Sequence, residues 1–235
     1  MTAWQADGVT TLSAKGTRLN RRGLETRRTL LRVAVRCLAE GGPDAVSANL
    51  VAKEAGVTWG TVQHQFGDSD GLWAAMLESI AERGTTLIPV PADVATLGER
   101  VTTVVETIWN ALERPTVRAM YTLRSALPPD PHDLEAEYPR TAAALRDWDR
   151  RWEAACREAF EGVDVDPVKL HRVRSLLPGA VRGLHDEQRL SPFADIDGAR
   201  RGLAEALAAY LATGAAGGDG DGAGAGSSGG VRAGS

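Results

Sequence analysis

The stretch Ser47–Leu72 constrains the fold of this chain more than any other part of its sequence. It divides into a short helical segment, a turn at Gly56, a second short helical segment from about Thr58 to Gln65, and a stop at Gly67. Gly56 can take a positive φ angle without strain, which suits a tight turn between two helices. Two short helices joined in this way form a helix-turn-helix, which places its second helix in the major groove of DNA. The stretch therefore predicts a DNA-binding module.

The rest of the chain is patterned for helices. Apolar residues recur at three- and four-residue spacings, and no useful stretch alternates as a strand would. We therefore expect an all-α fold of about nine helices, with a kink at Pro178-Gly179. The residues that mark helix starts are Asp68, Thr96 with Glu99, Asp166 before Pro167, and either Asp195 or Asp197.

Breaks in this pattern divide the chain into four parts. Pro89-Val-Pro91 separates two helical domains, and the ends carry no hydrophobic periodicity. The C-terminal end consists largely of Gly, Ala, Ser and Asp, which bury too little surface to fold. The predicted parts are a flexible basic arm (1–22), a helix-turn-helix DNA-binding domain (23–87), a helical ligand-binding and dimerisation domain (92–213) and a disordered Gly-rich tail (214–235).

The charge distribution supports DNA binding although the net charge is −4. Eight basic residues lie before Gly41, and only Asp7, Glu25 and Glu40 oppose their charge. Phosphate binding depends on such a local basic patch and not on the net charge of the chain. A solvated helix face with a basic tail is the alternative interpretation. The basic residues are Lys15, Arg18, Arg21, Arg22, Arg27, Arg28, Arg32 and Arg36.

Other function classes have little support in the sequence. No apolar run is long enough for a membrane span, and Cys37 and Cys156 are expected to pack as reduced core residues. The four histidines lack metal-ligand spacing, and no phosphate loop or nucleophile elbow is present. We expect a cytoplasmic protein with no metal, cofactor, membrane contact or catalytic residue. An all-helical enzyme and an adaptor that binds only protein are the alternatives.

The pattern Leu50-Val51-Ala52-x-x-Ala55-Gly56-Val57-Thr58-x-Gly60-Thr61-Val62, followed by Phe66 and a helix with Leu72, resembles the TetR family of transcriptional regulators over about residues 24–80. The resemblance implies a homodimeric repressor that binds a palindromic double-stranded operator. A small-molecule effector in the C-terminal helices would spread the two heads and release the DNA. The chain departs from the family at Trp59, where a polar or basic residue is usual, at Gln63, often Tyr, and at Gln65, often His.

The DNA-binding candidates cluster around the second helix of the motif. Residues in the N-terminal half of such a helix reach base edges, while hydroxyl and ammonium groups contact phosphates. Thr58 has an alternative role as a helix cap, and Arg21, Arg22 and Arg28 have one as a solvated arm. The candidates are Arg28, Ser47, Lys53, Thr58, Trp59, Gly60, Thr61, Gln63 and His64.

The ligand-binding candidates lie in the second domain. Six Trp against three Phe and three Tyr favour a pocket for a flat or apolar ligand, although aromatic residues also form ordinary cores. Arg174 and Arg182 could meet a carboxylate or face solvent. The last two helices, at about 167–189 and 196–213, are the expected dimer surface. The pocket candidates are Trp109, Met120, Tyr121, Arg124, Trp148, Trp152, His171 and Arg174, with Arg182 and His185 beside them.

Overall fold

The computed structural model describes residues 12–83, 88 and 96–212. Within these residues the chain forms ten α-helices and one 3-10 turn at Pro43–Ala45, and its β contacts are limited to an isolated bridge between Leu12 and Arg18. The helices are α1 (Arg21–Gly41), α2 (Ala48–Glu54), α3 (Trp59–Phe66), α4 (Ser69–Arg83), α5 (Leu97–Leu112), α6 (Pro115–Ala126), α7 (Pro131–Glu137), α8 (Pro139–Ala159), α9 (Pro167–Leu190) and α10 (Ile196–Ala212).

The all-α prediction is confirmed, with one helix more than the nine expected. The additional helix is α7, which is seven residues long and has no fully buried residue. Its start is fixed by Asp130, whose side chain accepts hydrogen bonds from the backbone N–H groups of His132 and Asp133, and by Pro131 at the first helical position. Because α7 buries no apolar stripe, hydrophobic periodicity did not reveal it.

The predicted helix starts are observed. Thr96 and Glu99 form a reciprocal capping box at α5, and Asp166 caps α9. Asp195 rather than Asp197 caps α10, since its carboxylate accepts from the Gly198 N–H at 2.8 Å. The helix α9 continues through Pro178, and the kink expected there stays a prediction.

The segment before α1 differs from the flexible arm that was predicted over residues 1–22. Residues 1–11 lie outside the described residues, but residues 12–20 form a packed turn. The Ser13 hydroxyl accepts from the N–H groups of Lys15 and Thr17, and Leu19 is buried. The α1 helix starts at Arg21 because Asn20 caps it. Side-chain-to-backbone bonds of this kind have no hydrophobic period and escape a periodicity search.

The first hydrophobic core lies among the N-terminal helices, but those helices do not complete it alone. Leu30, Leu38, Val51, Val62 and Trp73 from α1 to α4 are buried in it. Side chains from α6 and α8 fill the remaining side of the same core: Ala119, Met120, Leu123 and Leu145. The N-terminal helices therefore rest on a platform made by α6 and α8.

The second core joins α5, the end of α8, α9 and α10. Val101, Val104, Val173, Val181 and Leu211 are buried within it. Tyr121 on α6 packs against both cores and is partly exposed. The two halves of the described structure therefore meet along α6 and α8.

Two further features of the fold bear on the sequence predictions. Cys37 and Cys156 are free and buried in separate cores, and burial raises the pKa of the Cys156 thiol to about 12, so the group stays protonated at neutral pH. Among the described helices, none is both long enough and apolar enough to cross a membrane. The predicted break at Pro89–Pro91 and the Gly-rich tail at 214–235 lie outside the described residues.

Candidate nucleic-acid interface and effector cavity

The helix α3 presents a polar face to solvent at the end of the N-terminal domain. Gln63 and His64 are exposed, and Thr61 is partly exposed. On the opposite side, Val62 and Phe66 are buried in the first core. The side chains that the sequence assigned to DNA and those assigned to the core are thus separated onto two faces of one helix, as an amphipathic recognition helix requires.

The loops that lead into α2 and α3 end in two matched caps. The Ser47 hydroxyl accepts from the Leu50 N–H at 3.3 Å, and the Thr58 hydroxyl accepts from the Thr61 N–H at 3.3 Å. The hydroxyl groups of Thr58 and Thr61 also lie 3.1 Å apart. Gly56 has a φ of 66°, as the turn between the helices requires. Thr58 therefore caps α3. Because Thr58 is also exposed, it remains available for the predicted contact with a DNA phosphate, which stays a proposal.

Three other predicted DNA residues occupy different environments. Lys53 and Arg28 are exposed on α2 and α1. Trp59 is partly buried, and its indole packs against the first core and lines a surface depression with Trp73 and Tyr138. Part of the Trp59 side chain therefore has a structural role, which the sequence did not indicate.

The α3 helix is fastened to α1 by a buried polar contact. The Gln65 side chain donates to the Gly23 carbonyl at 3.2 Å, and the Arg27 guanidinium donates to the Gln65 carbonyl at 2.9 Å. The same guanidinium lies 4.4 Å from the centre of the Phe66 ring. Burial lowers the pKa of Arg27, against the opposing influence of nearby Glu78 and Glu82. Arg27 thus belongs to the packing of α3, although its sequence neighbours belong to the basic patch.

The far end of α3 is held by the first turn of α8. Arg140 donates from Nη1 to the Phe66 carbonyl at 3.1 Å and from Nε to Asp70 at 3.1 Å, and its Nη2 also binds Asp68. Asp70 accepts from the backbone N–H groups of Arg140 and Thr141, at 3.1 and 2.8 Å. The Asp70 carboxylate thereby caps α8 across the domain boundary, since Tyr138 at the N-cap position makes no side-chain cap. We call this contact, formed by Arg140, Thr141, Asp68, Asp70 and the Phe66 carbonyl, the α8 latch.

The α8 latch shifts the titration of Asp70. Burial alone would raise the pKa of this carboxyl, but the hydrogen bonds from Thr141 and Arg140 outweigh burial and hold the pKa below its ordinary value. Gly71 lies against the same contact, because a Cβ at this position would overlap the Phe66 carbonyl and the Arg140 guanidinium. The latch is therefore an ionised and tightly packed link between α3, α4 and α8.

A cavity of about 310 Å³ lies between α5, α6, α8 and α9. Its walls are largely apolar, and five of the eight predicted pocket residues line it. Its polar lining includes Arg114, Asp149 and Arg182. The five predicted residues are Met120, Tyr121, Arg124, Trp148 and Trp152.

The other three predicted pocket residues do not line this cavity, and their part in ligand binding stays a prediction. Trp109 instead packs between the His185 ring, at 5.4 Å, and the Arg200 guanidinium, at 4.6 Å. Arg174 pairs with Glu153, and one of its nitrogens lies 2.7 Å from His171 Nδ1. Trp109 leaves α5 on a different side from the cavity-lining Ile108 and Leu112. His171 and Arg174 share a face of α9 with Pro178 and Arg182, but they lie at least one turn nearer the start of that helix. Spacing along one helix does not say which of its neighbours encloses a space.

The comparisons with known proteins agree with this geometry. Residues 30–76, which span α1 to α4, match the family model of bacterial regulatory proteins, tetR family. These residues form a TetR-family DNA-binding domain. No curated protein matches it in sequence.

Several solved structures share the fold of this chain over most of its length. NalD from Pseudomonas aeruginosa, a secondary repressor of the MexAB-OprM multidrug efflux pump, is 19% identical with a TM-score of 0.55 over 80% of this chain and 98% of its own. The multidrug binding protein EbrR, in complex with imidazole, is 22% identical with a TM-score of 0.56 over 87% and 100%. A transcriptional regulator from Rhodococcus is 19% identical with a TM-score of 0.58 over 79% and 95%. At these identities the likeness establishes the fold.

Sequence reasoning missed several residues that organise this fold. Arg140 and Asp70 are seventy positions apart, so no local pattern joins them. Asp149 was not singled out either, although it lines the cavity and pairs with Arg124 at 2.7 Å. The one available signal was the acid-capped start of α4, which indicated a carboxylate at Asp70 without indicating its partner.

Proposed function

We propose that this TetR-family chain is an effector-controlled repressor that binds a palindromic operator as a homodimer. The observation that carries the proposal is the exposed polar face of α3, with Gln63 and His64 beside the capped N-terminus at Thr58. Such a helix can enter a major groove, where Gln pairs with adenine and His accepts or donates to a base or phosphate. Arg28, Lys53 and Ser47 would contact the DNA backbone.

The proposed domain division follows from the same architecture. Residues 23–87 would read DNA, and residues 92–213 would bind the effector and form the dimer, with a basic segment over 1–22 and a Gly-rich tail over 214–235. NalD is a repressor and EbrR binds drugs, so related folds serve this kind of switch. The effector site would be the cavity lined by Tyr121, Trp148 and Trp152.

Two helices connect the cavity to the DNA-reading face. The α8 helix carries Trp148 and Trp152 in the cavity wall and Arg140 in the α8 latch. Met120 on α6 lines the cavity and is also buried in the core beneath α3. A ligand that shifts either helix would therefore move the platform on which the N-terminal helices rest, and α3 with them. Binding of that ligand must differ between two arrangements of the heads, since a ligand with equal affinity for both shifts nothing.

The dimer surface is proposed to lie on α9 and α10. Val168 and Leu176, eight residues apart on α9, are 56% and 55% exposed. Phe193, in the loop between the two helices, is fully exposed. Apolar side chains grouped on paired helices favour a four-helix interface between two copies. Sedimentation of Leu176→Glu should show monomers, whereas Leu12→Glu, at an exposed apolar residue outside α9 and α10, should stay dimeric.

Selection of bound fragments from random DNA by the purified full chain tests the proposed function. We expect an enriched palindrome whose half-sites lie about one helical turn, or a multiple of it, apart. Affinity for the selected sequence should fall with salt with a slope of about −0.9 per neutralised phosphate. Recovery of no palindrome would contradict the proposal. Binding of protein partners without DNA retention would favour an adaptor, and turnover without it an enzyme.

A further inference from the structure

The cavity is apolar but carries an excess of positive charge. Its ionisable lining consists of Arg114, Arg124 and Arg182 against one carboxylate, Asp149. The Asp149 carboxylate is already engaged, because its Oδ1 lies 2.7 Å from Arg124 Nη2. Two guanidinium groups thus face or border the cavity without a carboxylate to balance them.

Arg182 is the cation best placed to meet a bound molecule. Its guanidinium lies 4.9 Å from the centre of the Tyr121 ring, which holds it at the cavity wall. Within the part of the chain that the structure describes, no carboxylate lies within 4.0 Å of it. A guanidinium presents a planar set of donors that matches a carboxylate in a bidentate geometry.

Arg124 offers a second donor at the same site. Its Nη2 pairs with Asp149, while its Nε is buried and has no hydrogen-bond partner among the described residues. A buried donor without a partner is costly, and an acceptor brought by a ligand would remove that cost. Both Arg124 and Arg182 therefore favour a ligand that carries acceptor oxygens and negative charge.

The walls and the volume restrict the rest of the ligand. Trp148, Trp152 and Met120 supply flat and adaptable apolar surface. The volume of about 310 Å³ is at the small end of the roughly 300–1,000 Å³ typical of small-molecule pockets. An organic cation of the same size would be placed beside unbalanced guanidinium groups, which disfavours it electrostatically.

We infer that the effector is a compact aromatic carboxylate whose ring system lies among Trp148, Trp152 and Met120 and whose carboxylate is bound by Arg182 and Arg124. This inference rests on the proposed function in that it takes the cavity as the effector site.

Three probes of one shape test the charge preference: 2-naphthoate, 2-naphthamide and 2-naphthylmethylammonium. Titration calorimetry with the full chain should give an affinity for 2-naphthoate about tenfold to a hundredfold higher than for the amide, with the ammonium weakest. Equal affinities, a preference for the ammonium, or no binding of any probe would overturn the inference.

Variants locate the preference on the proposed residue. Arg182→Gln should lower the affinity for 2-naphthoate about tenfold or more and leave the amide unchanged, while Arg182→Lys should recover part of the loss. Arg189→Gln removes an exposed charge from the same helix outside the cavity lining and should have no effect. An Arg182→Gln protein that binds 2-naphthoate as the unmodified chain does would overturn the assignment. Because Arg182 is exposed on one side, its replacement should leave the melting temperature unchanged.

The DNA selection tests the proposed function independently of the carboxylate preference. Retention of a palindrome without a preference for the carboxylate would overturn this inference and leave the repressor proposal intact. A carboxylate preference without DNA retention would do the reverse. Release of the selected operator by 2-naphthoate, but not by 2-naphthamide at the same concentration, would show that carboxylate binding in the cavity controls DNA binding.

Discussion

The outward face of α3 and the lining of the cavity are the two proposed binding surfaces, but they arise in different ways. The α3 helix starts at a local cap, from Thr58 to Thr61, and its residue order separates the polar face from the buried one, while Arg27 and Arg140 fasten the finished helix to its neighbours. The cavity is enclosed by four helices, and its ionisable groups are positioned by partners far away in sequence, such as Arg124 with Asp149. The composition of the first surface is therefore determined by local sequence, whereas the second surface exists only through tertiary packing.

This difference suits the two proposed roles, which are DNA binding by α3 and effector binding by the cavity. A surface that must match the repeating geometry of DNA benefits from a rigid, locally determined helix. A cavity formed by several helices changes shape when any of them moves, which a switch requires. The α8 latch joins the two, since Asp70 of the head supplies the cap that α8 lacks.

The largest expected effect is on DNA binding by α3. The double variant Gln63→Ala with His64→Ala should lose about tenfold to a hundredfold in operator affinity for each base contact removed. Both side chains are exposed, so the melting temperature should stay the same. Fluorescence anisotropy with the selected palindrome measures the affinity, and calorimetry measures the melting.

A matched control uses the same two residue types on other helices. Gln188→Ala with His132→Ala alters exposed side chains on α9 and α7. If this control weakens operator binding as much as the α3 variant does, the assignment of DNA reading to α3 is wrong.

Two glycines separate structural from functional constraint. Gly71→Ala should destabilise the fold by about 3 kcal/mol or more, because the added Cβ overlaps the Phe66 carbonyl and the Arg140 guanidinium. Gly60→Ala meets only the Thr58 hydroxyl oxygen, at 3.7 Å, and should be neutral or stabilise α3 by up to about 1 kcal/mol. Urea unfolding measures both. If Gly60 allows close approach of DNA, only the Gly60 variant will lose operator affinity while remaining stable.

Features that depend on local sequence could be predicted from the sequence, and features that depend on tertiary packing could not. The caps at Thr96, Asp166 and Thr58 and the split of α3 into two faces follow from residue type and spacing, so they were predicted correctly. The helix α7 was not, because it buries no apolar stripe. Tyr121 and Trp148 were correctly placed in the cavity, but Trp109, equally aromatic, was not, since the choice depends on which helix packs opposite.

Breaking the α8 latch should lower the free energy of unfolding less than Gly71→Ala does, but more than the loss of an exposed ion pair does. Asp70, 10% exposed, accepts four hydrogen bonds or ion-pair contacts from α8 through its carboxylate and carbonyl oxygens. Asp70→Asn should lower the free energy of unfolding by about 1–3 kcal/mol. Asp147→Asn on α8, which breaks only exposed ion pairs with Arg150 and Arg151, should leave stability nearly unchanged. Equal losses in the two variants would remove the latch as a specific link.

The pH dependence of the same residue has a defined sign. The folded-state pKa of Asp70 lies below its ordinary value of 3.8, so its contribution is present above that value and is lost as the pH falls through the folded pKa. The stability difference between the unmodified chain and Asp70→Asn should therefore shrink below about pH 3.8 and be constant near neutral pH. A difference that grows on acidification would show that Asp70 is not stabilised as a carboxylate.

The smallest expected effect separates the two roles of Thr58. Thr58→Ala removes the cap of α3 and should cost about 1 kcal/mol of stability, as Ser47→Ala should at α2. Thr58→Asp retains a good cap and keeps that stability, but it adds a negative charge at the proposed phosphate contact. Its operator affinity should therefore fall while its melting temperature does not, because the charge would face the DNA backbone. If Thr58→Asp binds the operator normally, the hydroxyl serves only to start the helix, and the phosphate contact assigned to it is wrong.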